Sequence, residues 1–213
     1  MLAAIGIHDI GLFMAAGWLL NITPGPDMLF ITGRAVAHGF RAGAAAAFGI
    51  AAGCLVHTTA VALGLAALLA TSVLAFDVVK LLGAGYLAYL GLKLLFAPRS
   101  VAAVERTDVA AHAGGIFWQG FITNVLNPKV ALFFLAFLPQ FIEPFAESKV
   151  LALATLGLIF IVNSLPIIVG IAWLAARAGA RFVRAGRAQH WLDRGLGALF
   201  LALAARLAWS YRD

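Results

Sequence analysis

The stretch NITPGPDMLF, Asn21 to Phe30, interrupts an apolar segment with two prolines, a glycine and a carboxylate. A second apolar segment is interrupted in the same way at NVLNPKVALFF, Asn124 to Phe134, where Lys129 follows Pro128 as Asp27 follows Pro26. Proline has no N–H and clashes with the preceding turn, so each site should end one helix and start another, leaving backbone polar groups unpaired. Within a bilayer such a break is tolerated only where it faces protein or a water-filled cavity. The two stretches, of opposite charge, read as the two halves of one transport site.

Outward from these stretches the chain is apolar. Of 213 residues, 63% are hydrophobic and 11% charged, and nearly every charge falls between apolar runs long enough to cross a bilayer. The fold class expected is an all-α integral membrane protein. The net charge of +6 is spread thinly over short loops, with no patch to follow a phosphate backbone, so nucleic acid is not an expected partner. Cys54 is the single cysteine, which excludes a disulfide framework and a CxxC pair; neither a metal site nor a cofactor is expected. The N-terminus MLAAIGIHDIG has no Lys or Arg ahead of its apolar stretch, unlike a cleavable signal peptide, so the chain is expected to be used whole.

Six segments are expected: about Asp9–Ala37, Ala42–Ala70, Asp77–Lys93, Ile116–Phe141, Val150–Ala176 and Trp191–Trp209. The first and fourth are broken at proline motifs, Pro24-Gly25-Pro26 and Pro128. The residues from about 98 to 114 form the sizeable polar loop. The halves on either side, about 1–97 and 115–213, resemble each other: Pro26-Asp27 matches Pro128-Lys129, and LGAGYLAYLGLK (Leu82–Lys93) matches LGALFLALAAR (Leu196–Arg206). A repeat of three crossings places its second copy upside down, which makes a 3+3 inverted repeat in one membrane domain.

Charge supports that count. With six crossings, Arg34, Arg41, Lys93, Arg99, Arg106, Arg177, Arg181, Arg184, Arg187 and Arg194 share one face, against Lys80, Lys149, Arg206 and Arg212 on the other. Re-entrant hairpins at the two breaks would divide the charges almost evenly. The positive-inside rule therefore favours six crossings with both termini outside.

Asp27 could simply complement a helix dipole, but a carboxylate inside a membrane segment usually marks an ion or substrate path. It could bind a substrate ammonium or take up a proton. Lys129 follows a proline at a helix start, where the dipole disfavours a cation, so an anion should compensate it, either Asp27 or a substrate carboxylate. Snorkelling to the interface is the alternative, but long apolar stretches flank Lys129 on both sides. Asn21, Thr23, Asn124 and Asn127 flank the breaks, suited equally to capping helices or to touching a ligand. His57 is read first as a packing residue and second as a proton carrier. Asn163 and Pro166 are read as marking a kink. Gly49 and Gly53, four apart, allow close helix packing within one subunit or between the subunits of a homo-oligomer.

Paired broken helices with one carboxylate and one ammonium suit a small zwitterion such as an amino acid. The chain carries neither a nucleotide-binding loop nor an HExxH or GxSxG motif, so transport driven by an ion gradient is expected rather than catalysis. A channel or lipid-handling protein on the same scaffold is the competing reading.

The motifs NITPGPD (Asn21–Asp27), the glycine series Gly39, Gly43, Gly49 and Gly53 ending in His57, GYLAYLGLK (Gly85–Lys93) and GFITNVLNPKVALFFLAFLPQF (Gly120–Phe141) together resemble the LysE/RhtB family of amino-acid exporters. That resemblance implies a bacterial inner-membrane protein. It would export homoserine, threonine, leucine or basic amino acids by proton antiport. Apart from Asp27 the apolar segments hold almost no acid, which favours neutral cargo.

Overall fold

Proline placement sets the first helix boundary. Thr23, forced away from helical geometry by Pro24, is extended (φ −71°, ψ 129°), so helix α1 (Ile10–Ile22) stops and α2 (Pro26–His38) begins with proline at its first position. The chain is described by a computed structural model covering residues 2–65, 113–143 and 146–178, with isolated helical positions between 78 and 96 and between 194 and 205. After α2, Gly39 turns at φ 82° into α3 (Phe40–Ala60), which continues as a π-helical turn through Leu65. Helix α4 (Ala113–Val125) ends before Asn127, itself extended ahead of Pro128, and α5 (Pro128–Phe137) runs on into a 3₁₀ turn to Phe141. Helix α6 (Lys149–Ala178) passes unbroken through Pro166.

Among the described residues, Phe40–Gly64 and Lys149–Ala178 are long and apolar enough to cross a membrane, and α4 with α5 would make a third crossing, bent by 53°. Helix α1 is apolar but shorter. The expected third and sixth segments, the loop at 98–114, Arg181, Arg184 and Arg187, and the Leu82–Lys93 to Leu196–Arg206 correspondence lie largely outside the described residues. Ala113 and Gly114, assigned above to that loop, already belong to α4. Where the third and sixth segments are described, Gly91 and Gly197 abut: a Cβ on either would meet the other's carbonyl oxygen, at 2.8 and 2.7 Å.

Two packing centres hold the helices. Phe13 of α1 meets Phe137 and Phe141, Phe133 stacks on Phe137 with ring centroids 4.5 Å apart, and Phe160 of α6 closes edge-on against Phe134. The second is built of small residues. A methyl on Gly53 of α3 would lie 2.8 Å from both Cβ and Oδ1 of Asn124, and one on Gly120 of α4 would lie 2.6 Å from the carbonyl of Ala46. Helices α3 and α4 therefore approach backbone to backbone, as small residues permit in lipid. This contact fixes the depth of Asn124.

Candidate functional site

The two helix breaks meet. Asp27, in the first turn of α2, accepts a hydrogen bond at 2.8 Å from Nδ2 of Asn124, in the last turn of α4. Lys129, in the first turn of α5, reaches back to α1: its Nζ donates to the carbonyl of Leu20 at 3.0 Å and to that of Thr23 at 3.1 Å. Each break thus supplies a side chain to the end of the helix at the other.

The exchange has an electrostatic logic. A lysine at a helix start is opposed by that helix's dipole, whereas the carbonyls at the end of a neighbouring helix carry the complementary partial charge. Carbonyls left over by the break at Pro24 accept the ammonium. Expected partners from sequence were Asp27 or a substrate carboxylate; the hydrogen bonds run to α1 backbone, while Asp27 lies within electrostatic range. The lysine chain packs against the break at Gly25, where an ideal Cβ would stand in ordinary contact with Cδ and Nζ, 3.5 Å away.

Asn127 caps α5, its Oδ1 accepting from the amide of Lys129 at 3.0 Å. Thr23 closes α1 by donating its hydroxyl to the carbonyl of Leu19. His57 is buried beside the site: its Nε2 lies 3.0 Å from the carbonyl of Asn124. Since a carbonyl only accepts, Nε2 carries the proton, and His57 holds the end of α4 in place.

Asn21, Thr23, Gly25, Asp27, Asn124, Asn127 and Lys129 all line one cavity, together with Cys54 of α3 and Ser164 of α6. Pro24, Pro26, Pro128 and His57 stand outside its lining. The space open to the centres of water-sized molecules is about 30 Å³, room for a water or two. Two oxygens at the site, Asp27 Oδ1 and Asn124 Oδ1, are buried with no hydrogen-bond partner. Such acceptors are costly to leave unmet, and the side chains of Asn127 and Cys54 stand close to Asp27 and Asn124 respectively and soften that cost.

Sequence reading missed the contribution of α6. Asn21 donates to Ser164 Oγ at 2.7 Å, while Asn163 accepts from the Trp18 indole at 2.7 Å and donates to the carbonyl of Met14. Asn163, read above as marking a kink, thereby joins α6 to α1. A lone serine in an apolar run gives no signal; the Asn163-Ser164 pair ahead of Pro166 was the available hint.

A family model described as LysE type translocator matches residues 18–211, a span that contains both breaks and every cavity residue. The chain belongs to that family. LysE type translocators are transporters, so this membrane protein is a transporter and not an enzyme. It is 30% identical over 198 residues to the homoserine/homoserine lactone efflux protein of Salmonella typhi, covering 92% of this chain and 94% of that one. It is 31% identical over 219 residues to the leucine efflux protein of Enterobacter sp. (strain 638), covering 98% and 99%. No solved structure matches.

Proposed function

We propose that this LysE type translocator exports neutral amino acids or their close derivatives from the cytoplasm, exchanging them for protons. The observation that carries the reading is the pair of unpartnered buried acceptors, Asp27 Oδ1 and Asn124 Oδ1, on the wall of a cavity where two helix breaks meet. A substrate ammonium brings donors for both. The first-turn amides of α2, at the positive end of that helix, suit the carboxylate. Asp27 is the single acidic residue of that lining, which suits cargo with one positive group, as homoserine and leucine have. The efflux proteins named above support the same class.

On this reading the molecule is an inverted repeat of 1–97 and 115–213 with six crossings, the first and fourth broken at their prolines. It sits in the bacterial inner membrane with both termini outside. Asp27 serves the exported ammonium and the imported proton in turn, since one carboxylate cannot hold both. The test is efflux of labelled leucine and homoserine from cells that express the wild type or Asp27→Asn. Wild-type cells should lose label faster than cells without the protein, and the variant should lose the advantage while still reaching the membrane. Undiminished efflux by Asp27→Asn removes Asp27 from the mechanism.

A further inference from the structure

Two turns along α2 from Asp27 lies a second charge that the site as described does not use. Arg34 is only 6% exposed, its Nη1 is buried without a hydrogen-bond partner, and its Nη2 donates to Oε1 of Gln119 on α4 at 2.6 Å. The ring of Phe30 covers it, with the guanidinium carbon 5.2 Å from the centroid. Arg34, one of the ten basic residues expected to share a membrane face, is enclosed between helices. Its hydrogen-bond partner is neutral, so the hydrogen bond satisfies a donor without balancing the charge. A buried guanidinium in that condition is costly, and it offers the fork that matches a carboxylate.

Its place in the fold says which carboxylate. Residues 27 and 34 are seven apart, hence on one face of α2 and separated by about 10 Å of helix rise. Between them Ile31 lines the cavity. Across the interface, Asn124 faces Asp27 and Gln119 faces Arg34, so α2 and α4 touch through two polar pairs at successive depths. Gln119 is exposed where Arg34 is buried. Running from the helix break toward the C-terminal end of α2, the order is therefore Asp27, Ile31, Arg34, with Gln119 set against the guanidinium.

Resting on the amino-acid export reading, we infer that Arg34 is a specificity-determining residue: it receives the carboxylate of the incoming amino acid, displacing Gln119, before the ammonium reaches Asp27. The Arg34–Gln119 hydrogen bond lies beyond Ile31, outside the cavity lining, and a carboxylate breaks it because it gives the guanidinium a better partner than a neutral amide. Cargo lacking the carboxylate displaces Gln119 far less readily.

The test uses the full-length protein in liposomes loaded with unlabelled leucine, following entry of labelled leucine and its competition by unlabelled leucine and by leucinamide, which keeps the ammonium and lacks the carboxylate. Wild type should be inhibited far better by leucine. Arg34→Gln should raise the KM for leucine by roughly tenfold or more and inhibit equally with both compounds, with Arg34→Lys in between. Gln119→Ala distinguishes recognition from mere joining of α2 to α4. It frees the guanidinium, so the preference for leucine should persist with an unchanged or lower KM, whereas a structural link predicts the same damage as Arg34→Gln. If Arg34→Gln does not fold, the Lys and Ala variants still decide. An Arg34→Gln protein that keeps its KM and its preference overturns the inference alone. A wild type that moves no amino acid overturns the export reading and this inference with it.

Discussion

The ammonium of Lys129 donates to the carbonyl of Leu20 at 3.0 Å, so the start of α5 is tied to the end of α1. A charge-assisted bond of this kind contributes about 1.5–3 kcal/mol, and its loss leaves buried carbonyls without their donor. Lys129→Met should lower the thermal unfolding midpoint in detergent and reduce leucine efflux at least about tenfold, since 1.4 kcal/mol is a factor of ten. Lys129→Arg, which keeps the charge on a bulkier head, should recover part of the stability. A Met variant with wild-type midpoint and efflux would show that the tie contributes nothing.

Proton exchange predicts a direction with pH. Efflux should speed up when the medium is made more acidic than the cytoplasm and slow when a protonophore collapses the difference. Asp27→Asn should be insensitive to both. Efflux that follows the cargo gradient alone in wild type would mark a channel.

Gly53 sits where a methyl would press on Asn124 at 2.8 Å. Gly53→Ala should cost about 1–3 kcal/mol, as overpacking does, and should weaken efflux because Asn124 can no longer hold Asp27 at the same depth. Gly114→Ala, where an added Cβ meets nothing within 4 Å, is the control and should be silent in both assays.

Asn127 supplies the cap of α5 through its side-chain oxygen. Asn127→Ala should lower stability by about 1 kcal/mol, and Asn127→Ser or Asn127→Asp should restore most of it. Equal stability of the Ala and Ser variants would mean that the cap is dispensable.

Both helix ends at the breaks could be read in advance, because a proline acts on its own neighbours whatever surrounds it. Thr23 and Asn127 are extended for that local reason. Polar residues beside the prolines could be singled out as well, since few others occur in these apolar runs. What each would touch was not legible. Lys129 takes the end of α1, a partner that exists only once two distant breaks are brought together. The enclosure of Arg34 was not legible either, because its sequence neighbours give no hint of Phe30 and Gln119 folding over it. Ser164 carries no local signal beyond its place between Asn163 and Pro166; its role depends on α6 lying against α1.

The cavity admits a water or two and is too small for leucine. Its walls must part before any cargo is seated, and the free energy for parting them can come only from contacts the cargo makes in the widened form and not in the narrow one. Selection is thus exercised while the walls move: two amino acids that fit the finished binding place equally well can still be exported at very different rates, if only one of them can prise it open.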